Sequence, residues 1–185
     1  MICNHLFGFL ALATYIATLI PSNISKIFPH TKKWQINRFL LSKRRLLGLM
    51  VFSLSVSHTL ISLNKYNINL LHGKTYSTYY TGIVSLMIFG VLAFTSNNWS
   101  MRHLKHKWKI LHQLTYVAMF LLLWHILMMT QDSWTWITPI ALQSIAIASL
   151  IFLTRLIINS KKILIKTLQL GDRELKLLSK HLEKN

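Results

Sequence analysis

Five long apolar runs limit this chain of 185 residues to very few folds, and they lie at about 2–20, 46–63, 79–97, 110–130 and 136–158. Each run is close to the roughly 20 residues that an α-helix needs to cross the hydrocarbon core of a bilayer. With 52% hydrophobic and 14% charged residues, the chain is also too apolar for an ordinary soluble domain. We therefore predict an all-α membrane protein built as a bundle of five transmembrane helices.

The basic residues orient these five helices. Of the 21 Lys and Arg residues, seven lie in 26–45, four in 102–109 and eight from Arg155 onward, whereas only Lys65 and Lys74 lie in the segments between. Cytoplasmic segments carry the excess of positive charge, so the three basic segments are expected in the cytoplasm. The N terminus is then outside and the C terminus inside. The first helix is expected to end at Pro21 and to be retained, because its start lacks the basic residues of a signal peptide.

The net charge of +17 does not indicate nucleic-acid binding, because the basic residues are spread over segments on one predicted membrane face. Anionic lipid headgroups account for them, and membrane lipid is the expected partner. Cys3 is the only cysteine, which excludes a disulfide within the chain and a cysteine-based metal site.

We predict one transmembrane domain over 1–160 and a basic cytoplasmic tail over 161–185. Leu175, Leu178 and Leu182 recur at helical spacing in the tail, which predicts a short amphipathic helix. This helix would lie on the inner membrane surface or cap the bundle, and a solvated helical tail is the alternative. The tail has no Gly-rich nucleotide loop and is too short for a flavin or dinucleotide domain.

Two histidines inside the apolar runs are the candidate functional residues. His58 lies 13 residues after Arg45, about 20 Å along a helix, and His125 lies 16 residues after Lys109, about 24 Å along. Both helices run from inside to outside, so the two imidazoles are expected at similar depth in the outer half of the membrane. Neutral imidazole is a usual axial ligand of haem iron, and two such ligands would hold one haem b from both sides. The alternative is that both histidines only hydrogen-bond neighbouring helices.

A third histidine, His112, lies 13 residues before His125, about 20 Å along the helix, so the two cannot bind the same iron. The matching position on the second helix, 14 residues before His58, is Arg44, followed by Arg45. Arginine does not replace histidine as an iron ligand, but it pairs well with haem propionates or other anions. An inner site formed by His112, Arg44 and Arg45, holding a second haem, a quinone or a flavin, stays open.

The chain resembles the ferric-reductase-like transmembrane family over roughly residues 8–158, and most closely its haem-binding methionine sulfoxide reductase subunit branch. The resemblance lies in 43–49 (KRRLLGL), 57–59 (SHT), 92–96 (LAFTS), 107–116 (KWKILHQLTY) and 124–125 (WH). It implies that His58, His112 and His125 are haem ligands in a b-type protein that passes electrons across the bilayer. A cytoplasmic flavin reductase or quinol would donate them, and an outer-face reductase or metal ion would accept them. The family's bacterial members typically begin with one more transmembrane helix than this chain has.

On this interpretation the chain is an electron-transfer subunit of an oxidoreductase system and has no catalytic residue of its own. Ser55, Gly82 and Ser85 are small enough to give a flat macrocycle room between the helices. The alternatives are a ferric or cupric reductase component, a non-redox accessory or scaffold subunit, and a proton or ion pathway through the histidines. A bacterial inner membrane is the expected location, with a thylakoid or organelle membrane as the alternative.

Overall fold

The protein is helical along almost all of its described length. The structure is a computed structural model that describes the backbone of residues 2–66, 73–132 and 135–182, and the side chains of 5–64, 79–129 and 135–171. No strand occurs in these ranges, so the predicted all-α fold is confirmed. The helices are α1 (Ile2–Ile27), a short 3-10 helix (Pro29–Lys33), α2 (Gln35–Ser42), α3 (Arg44–Tyr66), α4 (Gly73–Phe94), α5 (Asn98–Leu111), α6 (Leu114–Asp132) and α7 (Ile137–Leu182).

Five of these helices pack into a closed ring. Each contacts two neighbours, in the order α1, α3, α4, α6, α7 and back to α1. One cavity at an end of the ring is lined by the first turns of α1, α4 and α7 and by the last turns of α3 and α6. These three helix starts and two helix ends therefore lie at the same end of the ring. Consequently α3 and α6 run in the same direction, as predicted, and face each other from non-adjacent positions.

The tightly packed core adjoins the inner end of this cavity, mainly where α1, α6 and α7 meet, and shares Leu12, Tyr15 and Phe89 with the cavity wall. Leu19, Met119 and Ile145 are fully buried in the core, and Ala118 and Ala148 let the helix backbones approach closely. Small residues are used in this way where helices pack in a membrane. The core therefore fixes α6 and α7 on α1, and the space between the helices beyond it stays open as the cavity.

The outward faces of the ring carry exposed large apolar side chains, as expected of a protein surrounded by lipid. Examples on four helices are Leu60, Met87, Phe120, Trp124, Ile147 and Leu150. Among the described residues three helices are long and apolar enough to cross a membrane, or four if the bent pair α4–α5 forms one span. The segment Leu114–Met129 of α6 is apolar but shorter. The chain is thus a multi-pass membrane protein.

The first helix is longer than predicted, since α1 continues through Pro21 to Ile27. Proline removes one backbone N–H donor from the helix, and with it one hydrogen bond. Ending the helix at Pro21 would leave several backbone groups unpaired in an apolar environment, which costs more free energy. Nearby hydroxyls add hydrogen bonds to backbone carbonyls, as where Ser25 Oγ donates to Pro21 O at 2.6 Å and Thr18 Oγ1 donates to Tyr15 O at 2.7 Å. Proline therefore did not mark the end of this helix.

The basic segment after α1 forms two short helices, the 3-10 helix and α2. Asn37 of α2 is buried, and its Nδ2 donates to Ser25 Oγ and to Thr31 O, both at 2.8 Å. These bonds hold α2 against the end of α1. Within the second basic segment, α5 is bent 116° from α4 and contains Lys105 with φ 44°, where two helical pieces join.

The predicted tail helix is not a separate element, because α7 runs without a break from Ile137 to Leu182. The residues after Ile158 are mostly lysine, leucine and isoleucine with no proline, so nothing ends the helix there. The side chains of Leu175, Leu178 and Leu182 lie outside the described residues. Residues 67–72, in the segment predicted between the second and third apolar runs, and residues 133–134, between the fourth and fifth, also lie outside the described residues.

Candidate functional site

The open end of the ring encloses a cavity of about 420 Å³, lined by residues from all five ring helices. Cofactor and small-molecule sites typically have volumes of roughly 300–1,000 Å³. The cavity extends from the first residues of α1 and α7 inward to Tyr15 and Phe89, whose rings meet edge to face at 5.1 Å. The buried core closes the cavity at that end.

The lining changes from apolar to polar along the cavity. The deeper wall is formed by aliphatic and aromatic side chains such as Leu12, Leu86, Phe89 and Leu122. Polar side chains lie at the other end, where α1 and α7 begin, namely His5, Ser62, Tyr79, Thr135 and Thr138. A molecule with an apolar body and polar substituents at one edge suits such a lining.

His58 lines this cavity from α3, and its ring packs directly against Gly8 of α1. A Cβ atom on Gly8 would lie 3.0 Å from His58 Cε1 and 3.1 Å from Nδ1. That separation is shorter than ordinary van der Waals contact, so the imidazole occupies its position because residue 8 has no side chain.

His125 lines the same cavity from α6 and packs in the same way against Gly82 of α4. A Cβ atom on Gly82 would lie 2.8 Å from His125 Cε1, which is too close without a shift of one of the two groups. The Nδ1 atom of His125 is buried and has no hydrogen-bond partner among the described residues. A buried polar atom without a protein partner costs free energy, so a polar or metal-containing group bound beside this ring would stabilise it.

The donor set fits a haem better than a bare metal ion. Nowhere in the described parts of the chain do three or more His, Cys, Asp or Glu side chains come together, as a protein-bound zinc site requires. Haem iron needs only axial ligands from the protein, since the porphyrin supplies the other four nitrogens. Two imidazoles on non-adjacent helices, at one cavity with apolar walls, match that requirement.

The structure also places the small residues proposed from sequence, Ser55, Gly82 and Ser85, on the cavity wall. Sequence reasoning did not select Gly8 or His5, which both line the cavity from α1. Their spacing carried a usable signal, because His5, Gly8, Leu12 and Tyr15 recur every three or four residues and share one helix face.

The three inner candidates lie at the other end of the ring, and none of them lines the cavity. His112 caps the end of α5, where its ring packs on Trp108 at 3.9 Å, Nδ1 lies 3.1 Å from Trp108 O, and Nε2 lies 3.5 Å from Ser96 Oγ. Arg45 donates to Asn98 Oδ1 at 2.8 Å. Arg44 is half-buried and within electrostatic range of His112. The structure thus brings His112 and Arg44 near one another, separately from His58 and His125.

Comparison with known proteins agrees with this architecture. The profile of the ferric reductase like transmembrane component family matches residues 7–123, from the second turn of α1 to the middle of α6. The chain belongs to this family. His125 lies just beyond the matched segment, and its placement here rests on the structure.

Within the family, the chain is similar to haem-binding subunits of protein-methionine-sulfoxide reductase, called MsrQ. The relative from Brucella ovis is 34% identical over 122 residues, which cover 62% of this chain and 51% of the relative. The relative from Yersinia pseudotuberculosis is 33% identical over 124 residues, covering 64% of this chain and 58% of the relative. The chain thus spans little more than half the length of these relatives. The resemblance stated from sequence is confirmed, and no solved structure matches the chain.

Proposed function

We propose that this protein is a haem-binding electron-transfer subunit of a membrane oxidoreductase system, with His58 and His125 as the axial ligands of one haem b. The observation that carries the proposal is that these histidines, each packed on a glycine of a neighbouring helix, line one cavity from two non-adjacent helices. When bound, the haem supplies one-electron oxidation and reduction. Two strong axial ligands leave no open coordination position, which favours electron transfer over oxygen activation.

The remaining cavity residues have supporting roles. Leu12, Leu86, Phe89 and Leu122 exclude water from the two imidazoles, which keeps these neutral and able to coordinate. The polar residues at the opposite end, including His5 and Thr138, provide hydrogen bonds for acidic substituents of the bound group. Such hydrogen bonds and the degree of burial set the reduction potential of a haem.

The five ring helices are proposed to be five membrane spans, with the N terminus outside and the C terminus in the cytoplasm. The cavity then opens toward the outer face and His112 lies toward the cytoplasm, in agreement with the 19-to-2 distribution of basic residues. A bacterial inner membrane is the proposed location, in keeping with the bacterial relatives.

The relatives' names suggest one partner, a protein-methionine-sulfoxide reductase. We propose such a reductase at the outer face as acceptor. The donor proposed from the sequence resemblance is a cytoplasmic flavin reductase or quinol, with His112, Arg44 and Arg45 at the face that meets it.

Electron transfer across a sealed membrane tests the proposal. The haem-loaded protein is reconstituted into vesicles that contain an impermeant acceptor such as ferricyanide, and an impermeant reductant is added outside. His58→Ala and His125→Ala are expected to lose the b-type absorption band and to slow acceptor reduction at least about tenfold. His106→Ala is the matched control, since His106 is an exposed histidine of α5. A colourless wild type, or equal rates in all variants, would refute the proposed function.

A further inference from the structure

A second polar site lies at the inner end of the ring, remote from the cavity and centred on Arg155 of α7. Its Nη1 group donates to Asn23 Oδ1 at 2.7 Å and to Tyr116 OH at 2.6 Å, which ties α7 to α1 and α6. The guanidinium also lies over the rings of Tyr116 and Phe152, at 5.4 and 5.9 Å. Asn23 is 1% exposed, so this arrangement is built into the bundle.

The charge of Arg155 has no counter-charge that the chain can supply nearby. The four acidic residues are Asp132, Asp172, Glu174 and Glu183. The nearest of these along α7 is 17 residues away, about 25 Å, and Asp132 is 16 residues from Tyr116 along α6, about 24 Å. A guanidinium is always protonated, and a buried charge with only neutral partners is costly.

The neighbourhood of Arg155 makes this imbalance larger. Lys26 lies one helical turn after Asn23, the residue whose Oδ1 accepts from Arg155, and both Arg155 and Arg44 are within electrostatic range of Lys26. Cations from α1, α3 and α7 are thus found at one end of the ring, where an oxyanion would offset their mutual repulsion.

The guanidinium also retains free hydrogen-bonding capacity. Both hydrogen bonds, to Asn23 Oδ1 and to Tyr116 OH, are donated by Nη1. The Nε atom is buried and has no hydrogen-bond partner among the described residues. Nε and the adjacent Nη2 form the edge with which arginine makes paired hydrogen bonds to the oxygens of a phosphate or carboxylate. Nε is closed to solvent, whereas Nη2 is not, so a tetrahedral oxyanion would bind first at Nη2 and reach Nε with a small shift of the half-buried side chain. Such an anion would neutralise the cluster.

We propose that Arg155, Lys26 and Arg44 form a binding site for a phosphate-type oxyanion at the inner membrane face. Two sources of that group are available there, the headgroup of an anionic phospholipid and soluble phosphate. The site is separate from the proposed haem pocket, because none of its residues lines the cavity, although Arg44 also belongs to the face proposed to meet the electron donor.

Thermal unfolding of the full chain in nanodiscs tests this site in two arms. In one arm, phosphatidylglycerol replaces part of a phosphatidylcholine bilayer, and in the other, inorganic phosphate is titrated against chloride at equal ionic strength. A ligand that binds only the folded state raises the unfolding temperature with its concentration. A rise with the lipid alone identifies a headgroup, and a rise with inorganic phosphate identifies a soluble anion.

Variants decide whether Arg155 is responsible. Arg155→Gln is expected to abolish the rise and Arg155→Lys to reduce it, because lysine keeps the charge but lacks the paired donors. Lys26→Gln, on an exposed side chain, is expected to weaken binding severalfold and covers the case in which Arg155→Gln does not fold. Lys161→Gln, an exposed cation further along α7, is the matched control and should leave the rise unchanged. No rise in the wild type in either arm, or an equal loss in Lys161→Gln, would overturn the proposal.

Discussion

At the scale of single residues, the account depends on two glycines as much as on two histidines. Gly8 and Gly82 are the positions where the imidazole rings of His58 and His125 approach a helix most closely. Adding one methyl group at either position tests that contact directly, because alanine is otherwise favourable in a helix by roughly 0.5–1 kcal/mol.

Gly82→Ala is expected to lower haem occupancy severalfold while leaving the fold intact. Its Cβ would lie 2.8 Å from His125 Cε1, and the ring must turn away from its present position. Gly90→Ala is the matched control on the same helix, since its nearest neighbour is Phe52 Cε2 at 3.5 Å, an ordinary contact. The measurement is haem absorbance per protein after purification. Equal occupancy in both variants would show that His125 does not need its position against Gly82.

Gly8→Ala makes the same prediction for His58, with Gly48→Ala as control because nothing lies within 4 Å of that position. The expected result is a loss of haem or a shifted reduction potential in Gly8→Ala only, measured by redox titration. Occupancy and potential equal to those of Gly48→Ala would remove Gly8 from the site.

The sequence predicted the two histidines as site residues because an ionisable residue in an apolar run is rare and costly, and the structure places both at one cavity. The sequence did not identify Gly8, whose role depends on which helix lies next to α3. That neighbour is α1, and helix adjacency is a tertiary property that no local pattern contains.

At the scale of helices, the ring is held by a few polar contacts between segments distant in sequence. Tyr15 of α1 is 2% exposed, and its hydroxyl donates to the carbonyl oxygen of Thr115 at the start of α6. This bond joins two helices across the floor of the cavity.

Tyr15→Phe is expected to destabilise the protein by about 1 kcal/mol, since the hydroxyl is lost and the ring packing on Phe89 is kept. Unfolding in a denaturing detergent measures this. Thr14→Val is the control on the same helix, because Thr14 Oγ1 bonds only to Leu10 O within α1, and it should change stability by less than about 0.5 kcal/mol. Similar losses in both variants would contradict a contact between α1 and α6.

The apolar runs predicted which segments are helical, but they did not predict the residues at which the helices end. All five apolar runs became helices, but α1 passes Pro21 and α7 continues far beyond Ile158. Hydropathy reports where a segment is apolar, and a helix ends only where its backbone groups find other partners. At Asn97, for example, the side chain accepts from Ser100 N at 2.6 Å and begins α5.

At the scale of the whole molecule, the proposed sidedness can be tested with the single cysteine. Cys3 should react with a membrane-impermeant maleimide from outside intact cells, because the N terminus is expected there. In the control Cys3→Ser/Ser160→Cys, the new thiol at an exposed position of α7 should react only after permeabilisation. Labelling in the reverse order would invert the proposed topology.

The parallel course of α3 and α6 was predictable because alternating spans fix direction once their number is known. Their meeting at one cavity was not, since it depends on the order of helices around the ring. The inner cluster around Arg155 was equally hidden, because its three cations come from helices far apart in sequence.

Electron paramagnetic resonance of the oxidised, haem-loaded protein tests the central claim, that His58 and His125 hold one iron between them. The account predicts a low-spin signal in the wild type, a high-spin signal in His125→Gly, and return of the low-spin signal when imidazole is added to that variant. His58→Gly should behave in the same way. A low-spin signal that persists at full haem content in both variants would contradict the account.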